Sequence, residues 1–331
     1  MNSHSPLKPI ERAIEFCHQG GLIGLPTETV YGLAAPIDSE EQLKKIFEIK
    51  ERPLFDPLIV HIYDKYQALD LCLDWTPLCD TLAEIFWPGP LTLVLKRNPK
   101  KISSLITAGL ETVGVRCPSH PVAQEFLRKL GKPVAAPSAN KFTKTSPTKA
   151  QDVSDAFSPE DVFVLDGGEC EVGVESTIVL VEETRLTILR KGMITANEIL
   201  EQMTKKKITV EVVFDTTPME KKMTAPGQMA AHYRPVHPVV IVMKKDFQKY
   251  SQEILRSFDL LGIETLALRT LSNQAYLAAR ELYETLKRPL KSQEKVLVLC
   301  LPEFEQNQKE KEKWEAILDR LKKAAVLNFL P

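Results

Sequence analysis

Short apolar runs of strand length alternate with helix-period segments through the first 200 residues, stop once, and then start again. This alternation limits the fold to α/β architectures, because each period matches one element type and each element must bury its apolar side against another. Pro9–His18 reads as a helix with Ile10, Ala13, Ile14 and Cys17 on one face, ended by Gly20-Gly21, and Leu22–Leu25 as a buried strand stopped at Pro26. Glu40–Ile49, Leu78–Phe86 and Pro121–Leu130 read as further helices. Leu58–Ile62, Leu91–Leu95, Val113–Arg116, Val134–Ala136, Val162–Leu165, Ser176–Val181 and Leu186–Leu189 read as strands. Several strands follow one another closely, so the expected sheet is twisted and mixed, not purely parallel.

The pattern breaks near residue 205. Lys205-Lys206-Lys207 precedes a strand-like run, Ile208–Phe214, and Thr216–Pro238 is proline-rich with little periodicity, which reads as a linker. Strand (239–243), helix (247–258), strand (265–268), helix (273–286), strand (295–301) and helix (308–325) then follow. Three such units predict a small Rossmann-like α/β domain. The expected division is a catalytic domain over 1–205, a linker over 206–238 and a C-terminal domain over 239–331. No Gly-x-Gly-x-x-Gly follows the first strand of the last domain, so a dinucleotide site there is not supported.

Composition removes several classes. With 43 Lys+Arg against 44 Asp+Glu and 44% hydrophobic residues in 331, chain-wide disorder and binding of nucleic acid by bulk positive charge are both disfavoured. No run approaches the ~20 apolar residues of a membrane span, and the first residues lack the apolar core of a signal peptide. Six scattered cysteines with no Cys-x-x-Cys predict buried, reduced thiols in a cytoplasmic protein. Cys117 is read the same way, despite its neighbour Arg116. His232 and His237 make a poor metal pair, and no side-chain motif for a metal is present.

What recurs instead is a strand running into a tight, polar, often proline-containing turn. These turns are Pro26–Leu33, Lys50–Pro57, Val115–Ser119, Ala136–Asn140 and Gly173–Thr177, with Arg190 closing the last strand of the first domain. The 23 prolines, against 14 glycines, concentrate in such segments and in the linker, where they fix φ and stop strands and helices. Ligands of open α/β sheets bind where strands end, so the turns are candidates for one cleft. Lys50, Arg52, Arg116 and Arg190 would bring four cations to it, and Thr27, Thr29, Ser138, Asn140, Ser176 and Thr177 short hydrogen-bonding groups. No residue has the setting of an activated nucleophile. The chemistry expected is positioning and electrostatic stabilisation, as in transfer at phosphorus.

In their order, Pro26-Thr27-Glu28-Thr29-Val30-Tyr31-Gly32-Leu33, Lys50-x-Arg52-Pro53 with Pro57-Leu58-Ile59-Val60-His61, Trp87-Pro88-Gly89-Pro90-Leu91-Thr92, Val115-Arg116-x-Pro118, Ala136-Pro137-Ser138-Ala139-Asn140, Ser146-Pro147-Thr148 and Glu175-Ser176-Thr177-Ile178 resemble the YrdC-type L-threonylcarbamoyladenylate synthases. The likeness covers roughly residues 8 to 195, and the remainder resembles the long form of the family, with a linker and a small Rossmann-like domain. The resemblance implies a reaction of L-threonine, bicarbonate and ATP, with Mg2+, to threonylcarbamoyl-AMP and pyrophosphate. This is the first step toward N6-threonylcarbamoyladenosine in tRNA, the product passing to a threonylcarbamoyl-transferase.

It also implies residue roles. Lys50 and Arg52 would act on the ATP phosphates as the catalytic pair. Asp56, Thr112, Ser138, Asn140, Ser146, Arg190, His232 and Tyr233 would complete the nucleotide site, with the linker as a lid. Thr27, Thr29, His61, Arg116, Ala136 and Ser176 would line the threonine pocket, Arg116 pairing the substrate carboxylate. Three positions depart from the family pattern: Glu51 and Asp56 stand where Gly and Asn are usual, and Ala225 where Ser is usual. A carboxylate at 56 would repel phosphate unless it binds Mg2+ or turns away. Two other readings remain: an RNA-binding module using Lys205–Lys207 and Lys221-Lys222, and a carbamoyl-transfer domain of the hydrogenase-maturation type, whose companion zinc-finger modules are not visible here.

Overall fold

The computed structural model describes residues 8–215, 226, 233–304 and 307–330. The chain divides into two units, Met1–Phe142 with Ser146–Met229, and Thr143–Thr145 with Ala230–Pro331.

In the first unit the order is α1 (Pro9–His18), β1 (Leu22–Leu25), β2 (Gly32–Pro36), α2 (Glu40–Lys50), β3 (Ile59–His61), α3 (Lys65–Leu71), α4 (Pro77–Phe86), β4 (Leu91–Lys96) and β5 (Thr112–Arg116). Then come α5 (Pro121–Leu130), β6 (Val134–Ala135), α6 (Ala150–Ala156), β7 (Val162–Val164), β8 (Thr177–Val181), β9 (Arg185–Arg190), α7 (Ala196–Lys205) and β10 (Glu211–Phe214). The described strands form one ten-stranded mixed sheet, ordered β10-β9-β8-β4-β5-β3-β6-β2-β1-β7. Mixed pairing is explicit at its centre, where β4 runs antiparallel to β5 and parallel to β8, and β3 runs parallel to β5.

Local signals account for the helix ends. Pro sits in the first turn of α1, α4 and α5, where its missing N–H costs nothing. The Thr76 hydroxyl caps α4, and Thr195 with Glu198 forms a capping box on α7. The expected elements of this unit are found within a residue of their sequence bounds except β10, which begins at Glu211 and not at Ile208; β2, α3, α6 and α7 were not foreseen. β2 reads Gly-Leu-Ala-Ala-Pro, a poor strand former, and is held as a strand by antiparallel pairing to β1 and β6. In α6, seven residues long, Val153 is the one buried residue, too few for a periodic signal.

One face of the sheet carries the main core, including Leu22, Leu33, Val60, Leu91, Leu93, Leu95, Val113, Val115, Leu186 and Ile188. The opposite face is divided. On the β1-β2-β6 side it is covered by α1 and α5 through Ala13, Cys17, Ala123, Phe126, Leu127 and Leu130. On the β3-β5-β4-β8 side the apolar cluster consists of strand residues only: Ile59, Val94 and Ile178, with Leu180 and Leu189. The six cysteines are buried, as expected, and none is in a disulfide.

In the second unit, β11 (Val239–Met243), α8 (Phe247–Ser257), β12 (Leu266–Thr270), α9 (Ala275–Lys287), β13 (Val296–Leu301), α10 (Gln308–Ala324) and β14 (Leu327–Phe329) alternate. They build a parallel sheet ordered β12-β13-β11-β14. The fourth strand is an addition to the three expected; β11 and β13 are buried throughout, as strands covered on both faces must be. Residues 143–145 join this unit through Arg234, whose N–H donates to Thr143 O at 2.7 Å. Among the described residues no helix is long and apolar enough to cross a membrane.

Glu51 closes α2 in the left-handed region, φ 58°, which explains why glycine suits this position. A side chain there costs about 1–2 kcal/mol, and the exposed Glu51–Lys141 ion pair at 3.2 Å returns little. Glu51→Gly should therefore stabilise the first unit by about 0.5–1 kcal/mol, read as a raised urea midpoint; an unchanged or lowered midpoint would contradict the strain.

Candidate active site

Strand alternation sets which residues reach the half-face of the sheet that α1 and α5 leave uncovered. Val60, Leu93, Val113 and Val115 point into the main core. Their neighbours Ile59 and His61 on β3, Thr92 and Val94 on β4, and Thr112, Gly114 and Arg116 on β5 consequently point the other way. His61 and Arg116 are paired partners on adjacent parallel strands. Ile59, Thr92, Val94, Thr112, Gly114 and Ile178 line a narrow recess together with Pro57, Thr107 and Pro226. Gly114 keeps it open, since a Cβ there would lie 3.2 Å from Thr92 Cγ2.

Arg116 is buried and held on three sides. Its Nη1 donates to Thr29 Oγ1 at 2.8 Å, its Nε to Gly89 O at 3.4 Å, and its Nη2 lies 2.8 Å from Glu28 Oε1. Glu28 is fixed in turn, Oε2 accepting from the Ser119 N–H at 3.1 Å. The Thr27 and Thr29 hydroxyls are 2.9 Å apart, and Thr27 also donates to Val30 O, which locks the turn after β1. Burial and then the neighbouring Arg116 push the His61 pKa down to about 3. The ring is therefore neutral. Its Nδ1 donates to Ile59 O at 3.3 Å, leaving Nε2 as an acceptor.

The second cation group begins at the C-terminus of α2. Lys50 is buried, and its Nζ donates to the carbonyls of Ser138 (2.6 Å) and Asn140. Burial, and next the charge of Arg52, hold its pKa well below the usual ammonium value. Arg52 donates from Nε to Asp56 O (3.2 Å) and from Nη2 to Pro57 O (2.9 Å), and pairs with Asp56 Oδ2 at 2.8 Å. Burial raises the Asp56 pKa against the pull of Arg52, Lys50 and Arg190. Arg190 donates to Ser176 O and Ser176 Oγ, both at 3.1 Å, and to Pro226 O at 3.2 Å. Ser176 Oγ also lies 2.8 Å from Thr92 Oγ1, so one hydroxyl links the Arg190 group to the sheet face that carries Arg116.

The remaining candidates fall around these groups. Ser146 is buried and donates to Glu175 Oε1 at 2.6 Å, directly before Ser176. Ala136 donates from its N–H to Ile59 O and packs at Gly32. Tyr233 belongs to the second unit, buried with its ring 5.6 Å from that of Tyr283. His232, Ala225 and the lysines at 221 and 222 lie outside the described residues, as does most of the linker. Cys117 is an ordinary buried thiol, raised to about 11 mainly by desolvation.

Sequence reasoning left Glu28, Thr92, Gly114 and Glu175 without roles, although three of the four lie inside its motif segments. A carboxylate between two threonines, or just before a serine, has no chemical signature until its partner, Arg116 or Ser146, is known.

This geometry, a mixed α/β sheet with buried cations at its strand ends and a neutral hydroxyl and imidazole lining, defines a YrdC-like catalytic fold. The family model described as Telomere recombination, of the Sua5, YciO and YrdC proteins, matches residues 15–192, and the model described as Threonylcarbamoyl-AMP synthase, C-terminal domain, matches residues 194–326. The threonylcarbamoyl-AMP synthase of Bacillus subtilis (strain 168) is 40% identical over 232 residues, 70% of this chain and 66% of its own length. That of Pyrococcus abyssi (strain GE5 / Orsay) is 40% identical over 233 residues, 70% of this chain and 67% of its own. The chain thus spans about two thirds of the length of these curated relatives in sequence. The crystal structure of P. abyssi Sua5 complexed with L-threonine superposes with a TM-score of 0.83 at 30% identity, covering 98% of both chains. The chain belongs to the threonylcarbamoyl-AMP synthase family, enzymes of the nucleotidyl-transfer type.

The His61 environment has a measurable consequence. Below its ordinary pKa of 6.5 the unfolded imidazole takes up a proton, whereas the folded one stays neutral down to about 3. Stability should therefore fall as pH drops through that window. His61→Gln removes this contribution, so its urea midpoint should decline less than the wild type's between pH 7 and pH 4; parallel declines would refute the burial argument.

Proposed function

We propose that the chain condenses L-threonine, bicarbonate and ATP to threonylcarbamoyl-AMP and pyrophosphate. One observation carries this reading: two anion-binding groups, one built on Arg116 and one on Lys50, Arg52 and Arg190, meet through the Thr92–Ser176 hydroxyl contact of 2.8 Å. The P. abyssi structure, complexed with L-threonine, supports threonine as a substrate, and the single guanidinium of the first group suits its one carboxylate.

In this reading the threonine carboxylate lies against Arg116, and Thr27, Thr29, Ala136 and Ser176 shape its pocket. Glu28 holds the guanidinium in place without consuming all five of its N–H donors. His61 Nε2 accepts a hydrogen bond from the substrate but, with its low pKa, stores no proton at neutral pH. The ammonium and bicarbonate give the carbamate, one water and one proton. A carbamate oxygen then attacks the α-phosphorus, and the bond to the β-phosphate breaks with its electron pair leaving on pyrophosphate. Lys50, Arg52 and Arg190 bind the phosphates and offset the charge that develops. The recess at Gly114 and Thr112 accepts the nucleoside, and Ser138, Asn140 and Ser146 border it. Mg2+ accompanies ATP and neutralises phosphate charge. The chemical role of these residues is to keep a short-lived carbamate dry and aligned. The adenylate is then consumed by a transferase acting on tRNA.

Pyrophosphate release should require threonine and bicarbonate together and no RNA; turnover that ignores threonine would remove the assignment. Lys50→Ala should raise the KM for ATP by about 10–100-fold, the worth of a charged hydrogen bond. Arg116→Ala should do the same for threonine while leaving the ATP KM within about two-fold. Equal effects of each variant on both substrates would contradict the division of roles.

A further inference from the structure

We propose that Asp56 is the protein's own ligand to the divalent cation that accompanies ATP, an inference that rests on the ATP site proposed above. The two oxygens of this carboxylate are in different situations. Both are fully buried and neither makes a hydrogen bond, but Oδ2 lies 2.8 Å from Arg52 Nη2 as an ion pair, whereas Oδ1 has no such contact. The side chain is 1% exposed, so water does not compensate Oδ1. A buried acceptor left this way is costly, more so when charged. The charges of Arg52, Lys50 and Arg190 all act on the group.

A carboxylate present only as a counter-ion to Arg52 would engage the guanidinium with both oxygens, the usual fork geometry. Instead Arg52 divides its donors between Oδ2 and the carbonyls of Asp56 and Pro57. Oδ1 is thereby left over, among the same cations proposed to hold the polyphosphate. Magnesium is commonly bound by one or two carboxylates, with substrate phosphate oxygens and water filling the remaining positions. Among the described residues no group of three or more His, Cys, Asp or Glu side chains could hold a metal ion. One carboxylate oxygen shared with phosphates is therefore the arrangement these residues fit. It also resolves the presence of Asp, where the resembling family usually has Asn: the negative charge opposes a bare phosphate but favours a metal-bound one.

The test is Asp56→Asn, nearly isosteric, with an oxygen still available to Arg52. Binding of the β,γ-imido analogue of ATP to the full chain is measured in EDTA, and retention of Mn2+ in the ternary complex is then followed by electron paramagnetic resonance. The analogue should bind both proteins in EDTA, the variant as tightly as the wild type or more tightly. Mn2+ affinity in the ternary complex should fall on the order of 10-fold in the variant. Equal Mn2+ retention overturns the proposal, as does loss of metal-free binding in the variant, which would mean that Asp56 acts only by placing Arg52. Failure of the analogue to bind the wild type even with Mn2+ present overturns the ATP site itself, and this inference with it.

Discussion

The site depends on how four strands divide their side chains. On β3, β5, β4 and β8 the residues that alternate into the main core are almost all Leu, Val or Ile, and that packing fixes the register. Once it is fixed, His61, Thr92, Thr112 and Arg116 can only face the opposite way. A slip of one residue on β5 would send Arg116 into the core and Val115 into the pocket, and neither could be tolerated. The position of the pocket residues is thus set by the hydrophobic residues between them. The same logic explains Gly114: it is the one position on this face of β5 where a side chain would close the recess against Thr92.

The cations of the site stand at element ends, Lys50 closing α2, Arg116 β5 and Arg190 β9, with Arg52 in the turn after α2, and a buried cation must be neutralised by something other than water. Each is provided for before any substrate binds. Lys50 rests on two backbone carbonyls, Arg52 on two carbonyls and Asp56, Arg116 on Glu28 and Thr29, and Arg190 on Ser176 and Pro226. Because most of these partners are main-chain oxygens, the loops that supply them must hold one conformation. Pro53, Pro57, Pro118 and Pro137 lie in or beside these loops, where fixed φ angles reduce the freedom lost on ordering. Proline excess and pre-paired cations are two aspects of the same requirement.

How much of this could be read in the sequence follows from range. The strands and most helices were legible because hydrophobic period is local, and the mixed sheet followed from strands crowded together near Ser176–Leu189. The motif turns were legible as turns through Pro, Gly and Thr. β2 was hidden, since Gly-Leu-Ala-Ala-Pro becomes a strand only between partners distant in sequence. The same holds for the site. Lys50 and Arg116 stood out as cations, but their partners Ser138, Asn140 and Glu28 lie 88, 90 and 88 positions away (138 − 50, 140 − 50 and 116 − 28), and no local pattern joins them. Ser138 and Asn140 were expected to act through their side chains; the contacts to Lys50 come from their carbonyls, which any residue would supply.

Ser176 has a particular place in this arrangement. Its Oγ accepts from Arg190 Nη2 and, having one proton of its own, can still donate to Thr92. Thr92 and Ser176 lie at the start of β4 and just before β8, where Leu91 pairs with Thr177, so the contact between them is carried by sheet backbone. Arg190 closes β9, the antiparallel partner of β8. An α-phosphate near Arg190 and a carbamate near Thr92 would thus be referenced to three adjacent strands, which yield far less than loops do. In a reaction whose first intermediate decomposes in water, alignment gained that way is retained for as long as the carbamate lasts. The phosphates beyond the reacting one would be held by Lys50, the last residue of α2, and by Arg52 in the turn that follows, both off the sheet, because they leave as a unit and must be released. Strand-borne groups at the point of bond formation and groups off the sheet at the leaving end suit such a transfer.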